Sequence, residues 1–269
     1  MVDLQKIADF QKVIWSYYRE QGRSFDWRHV KDPYKVVVSE VMLQQTQTAR
    51  VAIKFVEFIR FFPDFNSLAL ASLKDVLFAW QGLGYNRRGK FLHEIAKKVV
   101  NEYNGILPDC PKMLVTFPGI GPNTAGSIVA FAYNKPTIFI ETNIRSVFLT
   151  FFFSNQTEIH DKQLLPLIEA AIDHASARDW YYALMDYGVM LKKQLPNPSR
   201  KSAHHAVQSK FEGSDRQIRG MVLKLLIQKQ VSKKDLFLLI DRTPERIERA
   251  LNQLLDENMI QQKSDFFYI

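Results

Sequence analysis

Phe117-Pro118-Gly119-Ile120-Gly121-Pro122-Asn123-Thr124-Ala125 is the stretch from which the fold is read. It joins two segments with helical periodicity, residues 111–117 and 122–133. Two glycines separated by one residue let a backbone turn tightly and come close to another backbone. The N–H groups of Gly119 and Gly121, with those of the helix start around Asn123 and Thr124, make an anion site that a DNA phosphate can enter without help from a side chain. Gly-x-Gly alone also fits an ordinary corner between two helices. The longer pattern, apolar-Pro-Gly-Ile-Gly-x-x-Thr-Ala, is much more specific.

Helical periodicity dominates on both sides of this turn. Leu4, Ile7, Ala8, Phe10, Val13, Ile14 and Tyr17 recur at steps of three and four, so residues 4–20 read as a helix. Asp32-Pro33 is a helix start, and residues 33–62 read as helical with a break near Gln45-Thr46. Residues 68–80 and 87–103 are two more helices, joined at Gly82-Leu83-Gly84, and residues 161–177 and 180–192 follow. The first 200 residues hold no alternating run long enough to build a sheet. Residues 195–202, with Pro196, Asn197, Pro198 and Ser199, have the composition of a linker. Beyond it, residues 215–230, 233–240 and 243–259 read as three helices, the last capped by Thr243 with Pro244 at its first position. Residues 260–269 then suit a short hairpin around Lys263-Ser264-Asp265. That is the winged-helix order, although a plain helical packing module fits as well.

The 269 residues carry 36 Lys+Arg against 28 Asp+Glu, a formal charge of +8, and 46 % are apolar. This is ordinary globular composition and excludes a disordered or low-complexity chain. The balance is compatible with nucleic-acid binding but does not require it. A single cysteine, Cys110, excludes an internal disulfide, a four-cysteine zinc site and a four-cysteine iron–sulfur cluster. His204-His205 has no third ligand, so no metal site is expected. No apolar run is long enough to span a bilayer and the N-terminus lacks a signal pattern. The expectation is a cytoplasmic protein, nucleoid-associated if bacterial, with no membrane partner. The run Phe151-Phe152-Phe153 is expected in the core.

Two further constellations carry chemistry. In Ser39-Glu40-Val41-Met42-Leu43-Gln44-Gln45-Thr46-Gln47, Glu40 and Gln44 share a helix face with apolar surroundings. A carboxyl group at the edge of such a face can serve as general acid near neutral pH. Pairing with Lys35 or Arg50 is the simpler alternative. In Ile140-Glu141-Thr142-Asn143-Ile144-Arg145, an acid and an amide follow an apolar stretch. Glu141 can stabilise a developing cation or simply cap the helix beginning near Thr142. Arg87-Arg88-Gly89-Lys90 and residues 192–201 are the basic patches suited to phosphates. Arg242, Arg246 and Arg249 alternate with Glu245 and Glu248, as on a solvated face.

These motifs together resemble the helix–hairpin–helix base-excision DNA glycosylases, and among them the adenine glycosylases of the MutY type. The resemblance covers residues 5–190. It is carried by Trp27-Arg28, Pro33-Tyr34-Lys35-Val36, Ser39 through Gln47, Trp80-Gln81-Gly82-Leu83-Gly84-Tyr85, the Phe117–Gly121 turn and Tyr187-Gly188, in that order. It implies an all-α, two-lobed helix–hairpin–helix fold over residues 1–200, with residues 27–135 as one lobe and 1–26 plus 136–200 as the other. Residues 206–269 would be a small C-terminal helical, winged-helix-like module. Glu40 would be the general acid that protonates the departing adenine. Glu141 and Asn143 would stand by the cationic sugar. Gln45 and Tyr85 would wedge into the duplex where the base has been flipped out. Trp27, Arg28 and Gln44 would line the base pocket. The partner implied is double-stranded DNA with a mismatched or damaged base, bound by a monomer.

The chain also departs from the family pattern. Glu141 replaces an aspartate, and its extra methylene moves the carboxylate by roughly 1 Å. Asn123 stands where bifunctional relatives carry a Schiff-base lysine, so β-lyase activity is not expected. Met190-Leu191-Lys192-Lys193 occupies the place of the family's four-cysteine cluster, so packing or charge must hold that region. Residues 206–269 are too short for the Nudix-like domain that reads 8-oxoguanine in the family. The expected activity is therefore monofunctional, cofactor-free release of adenine mispaired with 8-oxoguanine or guanine. A glycosylase for thymine, uracil or another base is one alternative. A non-catalytic module that holds unusual DNA structures is the other.

Overall fold

The computed structural model describes residues 3–205 and 209–269. Met1, Val2 and the first residues of the expected 206–269 module lie outside the described residues. The chain divides into two compact units. One comprises Met1–Val36, Pro108–Thr116 and Ile120–Val207; the other comprises Val37–Leu107, Phe117–Gly119 and Gln208–Ile269. These boundaries differ from the expected 27 and 135, and the C-terminal segment groups with the second unit.

In the first unit, α1 (Leu4–Gln21) is capped by Asp3, whose side chain accepts from Lys6 N. Ile7, Phe10 and Ile14 are its buried stripe, while Leu4 and Val13 face outward. The same unit holds α7 (Pro111–Leu114), α8 (Pro122–Tyr133), α9 (Thr142–Phe152), α10 (Asp161–Ala171) and α11 (Ala177–Gln194). Expected helices 111–117 and 161–177 are thus shorter than their apolar patterns. Val115 caps α7, and Ile172 leaves the helix in an extended conformation. Phe148, Phe151 and Phe152 pack on Phe10, which confirms the phenylalanine run as core-facing. Such edge-on ring pairs add packing energy beyond area burial. Residues 195–202 are not a free linker. Pro198 and Ser199 are buried, and Ile159 bridges in parallel to Ser202 through Ile159 N to Lys201 O (3.0 Å) and Ala203 N to Ile159 O (3.1 Å).

The second unit contains α3 (Thr48–Phe61), α4 (Phe65–Leu70), α5 (Leu73–Ala79) and α6 (Arg87–Tyr103). Helix α2 (Pro33–Leu43) contains the unit boundary, between Val36 and Val37, and ends before Gln45, as expected. The expected helix 68–80 is two helices, because Ser72 caps α5 by accepting from Asp75 N and Ala71 is extended. The C-terminal segment forms α12 (Asp215–Gln228), β1 (Val231–Ser232), α13 (Lys233–Leu239), α14 (Pro244–Asp256), β2 (Gln261–Lys263) and β3 (Phe266–Tyr268). The strands make an antiparallel sheet in the order β1-β3-β2, which completes the winged-helix topology. Strand β1 is only two residues long, too short to leave an alternation in the sequence. Thr243 precedes α14 without a side-chain cap bond. Leu77 of α5 joins Ile218, Val222, Leu226 and Leu254 in one apolar cluster, so the module shares its core with the helices before it.

Candidate active site

In the second unit, Arg88 organises the loops that bear Gln45 and Tyr85. Its guanidinium donates to the carbonyls of Val41 (2.8 Å), Met42 (2.9 Å) and Gln44, to those of Leu83 (3.2 Å) and Gly84 (3.0 Å), and to Thr46 Oγ1 (2.9 Å). Carbonyls at a helix C-terminus have no intrahelical partner, and a buried planar fork with several donors satisfies them. Burial lowers the Arg88 pKa to about 10, so it remains charged at neutral pH. The sequence reading set Arg88 on a phosphate; the structure instead buries the side chain at 8 % exposure and turns both Nη atoms onto acceptors inside the fold. Gly89 lets α6 approach Trp80, where a Cβ would lie 2.9 Å from the indole. Arg87 is the outward member of the pair, 57 % exposed and 3.9 Å from Glu257.

Gln45 and Tyr85 both adopt left-handed backbone, with φ of 55° and 48°. Non-glycine residues there are costly and are held only by surrounding structure. Gln45 is exposed. Arg216 of α12 donates to the Tyr85 hydroxyl and lies 4.9 Å from its ring centroid, so the C-terminal module touches this loop. Glu40 lies on α2 between buried Ser39 and Val41 and is itself half-buried, as is Gln44.

The glycine turn passes from the second unit to the first. Gly119 has a φ of 71°, and a Cβ there would come within 2.5 Å of the Phe91 ring. Gly121 is different: its backbone is extended and a Cβ would meet nothing within 4 Å. It caps α8, with Pro122 at the first position. Asn123 accepts from Ile140 N at 3.0 Å through Oδ1, and Thr124 follows it, half-buried. That bond, with Thr137 Oγ1 to Gly126 O (2.7 Å) and Tyr181 Oη to Thr137 O (2.5 Å), ties the extended stretch 137–140 to α8 and α11.

This stretch delivers Glu141 to the N-terminus of α9. Glu141 Oε1 accepts from the backbone N–H groups of Asn143 (2.8 Å) and Ile144 (3.1 Å), and Oε2 accepts from Asn143 Nδ2 (3.2 Å). The capping alternative raised by the sequence is thus realised, and a helix N-terminus favours a negative charge at that point. Lys192 Nζ donates to Asn143 Oδ1 at 2.7 Å. Gly188 permits this packing, since a Cβ would sit 2.5 Å from Asn143 O. Of the basic stretch 192–201, Lys192 and Lys201 turn inward, the latter onto Ser154 O (2.6 Å).

Trp27 is buried and stacks on Phe25 at 4.7 Å. Arg28 donates through both Nη atoms to Asp186, at 2.8 and 2.7 Å, and lies 4.4 Å from the Tyr182 ring centroid. Arg23 joins the same carboxylate through its backbone N and Nε, both at 2.7 Å. Asp186 was not singled out from the sequence. Its signal was a carboxylate inside the otherwise apolar face of α11 formed by Tyr182, Ala183, Val189 and Met190. Arg28 lines an open cleft of about 510 Å³ with Lys31, Tyr133, Asn134 and Arg178.

The region after Gly188 does not fit a four-thiolate cluster. The one cysteine, Cys110, precedes α7, and no group of three or more metal-ligating side chains comes together among the described residues. Helix α11 instead continues to Gln194 and is followed by the packed segment described above.

Residues 38–169 match the family model of the HhH-GPD superfamily base excision DNA repair proteins. An adenine DNA glycosylase of Mycobacterium tuberculosis (strain ATCC 25618 / H37Rv) is 30 % identical over 291 residues, covering 96 % of this chain and 92 % of its own length. The adenine DNA glycosylase of Buchnera aphidicola subsp. Baizongia pistaciae is 33 % identical over 184 residues, and this chain spans about half, 52 %, of it. Among solved structures, a thermostable thymine-DNA glycosylase aligns with a TM-score of 0.63 and 25 % identity over 69 % of this chain and 87 % of its own. An endonuclease III trapped on DNA, at 16 % identity and a TM-score of 0.59, shares the fold. The family match and the near-full-length relative together place the chain in the HhH-GPD superfamily of base excision DNA repair glycosylases.

Proposed function

We propose that the protein is a monofunctional adenine glycosylase acting on adenine opposite 8-oxoguanine or guanine in double-stranded DNA. The observation that carries the reading is the 30 % identity to an adenine DNA glycosylase over 96 % of the chain. Glu40 gives its proton to the adenine ring as the bond between the base and C1′ breaks, and the bonding electron pair leaves with the base. Glu141 stabilises the cationic sugar, and water adds to C1′ with loss of a proton. Asn123 cannot form an imine with the sugar, and its side chain bonds Ile140 N. No cofactor takes part, and the enzyme works as a monomer.

Single-turnover base release on duplexes carrying A opposite 8-oxoguanine, A opposite G, T opposite G and U opposite G, each read with and without alkali, tests this. Alkali-dependent breakage of the adenine strands is expected, together with its loss, but retained DNA binding, in Glu40→Gln. Release only from thymine or uracil strands would establish the second reading, which the similarity to a thymine-DNA glycosylase favours. Tight binding without release from any duplex would make the protein a non-catalytic module.

A further inference from the structure

The donor and acceptor chemistry around Asn143 is one-sided. An ammonium group can only donate, so the Lys192 Nζ contact at 2.7 Å requires the carbonyl oxygen of the Asn143 amide to face it. The amide nitrogen then necessarily faces Glu141 Oε2, 3.2 Å away, where an ionised carboxylate can only accept. The two ends of the amide are nearly the same shape, and the acceptor-only carboxylate and the donor-only ammonium fix the same orientation from opposite sides. We propose that Lys192 is a positioning residue for Glu141, acting through Asn143, and that it supplies the fixed charge in the stretch where the family resembled carries its metal cluster.

The scaffold is built for this contact. Gly188 and Lys192 are four residues apart and share a face of α11. Gly188 has no side chain to hold α11 away from Asn143, and one turn later Lys192 reaches the amide. Two charged groups bear on the ammonium: Glu141 attracts it and Arg145 repels it. The Arg145 guanidinium is itself tied to Asp161 at 2.8 and 2.7 Å. Burial lowers the Lys192 pKa, and Glu141 opposes that shift. The result is a chain of donors, Lys192 to Asn143 to Glu141, ending on a carboxylate oxygen that the backbone N–H groups of α9 leave uncovered. Charge-assisted hydrogen bonds of this kind are about twice as strong as neutral ones.

The inference rests on the glycosylase reading, so its test begins with wild-type base release. The variants are Lys192→Met, which keeps the length and removes the charge, and Lys192→Arg, which keeps the donor. Lys192→Met is expected to lower single-turnover base release about 10- to 100-fold, as for a small misplacement of a reacting group, with DNA affinity within about twofold of wild type. Lys192→Arg is expected to recover most of the rate. The side-chain amide resonances of Asn143 are expected to move in Lys192→Met, and in wild type to follow the deprotonation of Lys192. Unchanged base release in Lys192→Met overturns the proposal, as does a loss of rate that tracks loss of affinity and melting temperature. If Lys192→Met does not fold, Asn143 resonances that ignore Lys192 deprotonation in wild type overturn it instead. A wild-type protein inactive on every duplex removes the glycosylase reading, while the Asn143 resonances still report whether the contact exists.

Discussion

Asp186 receives both Nη atoms of Arg28, at 2.8 and 2.7 Å, while only 1 % of its own surface is exposed. A buried ion pair gains little over a well-packed apolar pair, but removing one partner leaves a charge stranded. Arg28 is the buried partner that would be stranded, since Arg23 is one-third exposed. Asp186→Asn keeps the shape and removes the charge. It is expected to cost about 3–5 kcal/mol of stability, read by denaturant unfolding. A change below about 1 kcal/mol would show that the two arginines find water or another partner when the carboxylate is gone.

The neighbours Arg87 and Arg88 should respond in opposite ways. Arg88→Met leaves the loop carbonyls around Gln45 and Tyr85 without donors, so melting temperature should fall sharply, by the equivalent of about 3 kcal/mol or more. Arg87→Ala should melt like wild type, because the side chain is mostly exposed and its ion pair with Glu257 is long. If Arg87 meets a phosphate, its removal reduces the slope of log affinity against log salt by about 1. A salt slope lowered by Arg88 substitution in a folded protein would contradict the inward role.

Sequence alone showed the helices that carry strong periodicity and the loops punctuated by glycine, because those signals are local. It placed Gln45 and Tyr85 at helix breaks and put Gly119, Asn123 and Glu141 next to the helix starts where the structure has them. It did not separate Arg87 from Arg88, since burial depends on which carbonyls other loops bring near. For the same reason it left Asp186 unmarked and showed Lys192 only as part of a basic patch. Each lies on α11 and acts on a residue from an earlier segment, Arg28 or Asn143. The break at Ser72 was hidden because the apolar pattern of residues 68–80 continues across it.

The two turn glycines give a separable pair of substitutions. Gly119→Ala combines a left-handed backbone with a Cβ 2.5 Å from Phe91, so it should destabilise the protein by at least about 1–2 kcal/mol. Gly121→Ala meets no neighbour and has an ordinary backbone, so its melting temperature should stay near that of wild type. A methyl group at Gly121 nonetheless stands beside the N–H groups expected to receive a phosphate. Weaker DNA binding by a fully folded Gly121→Ala would support that role. Unchanged affinity would leave the turn as a structural corner only.

His93 sets an acid limit on the second unit. It is 3 % exposed on α6, and its Nε2 has no hydrogen-bond partner among the described residues. Burial lowers its pKa, with Lys97 adding in the same direction, while Glu94 and the backbone of Ala69 and Ala71 oppose them. The folded protein therefore holds this ring neutral at pH values where the unfolded chain, titrating near 6.5, already binds a proton. Its contribution is complete above about pH 6.5 and is lost as pH falls from there toward the lowered value. Denaturant midpoints measured between pH 7.5 and 5 should decline through that window. His93→Leu should lower stability at pH 7.5 by about 1 kcal/mol, through the backbone contacts it gives up, and flatten the decline. An equal slope in the variant would assign the acid sensitivity to other groups.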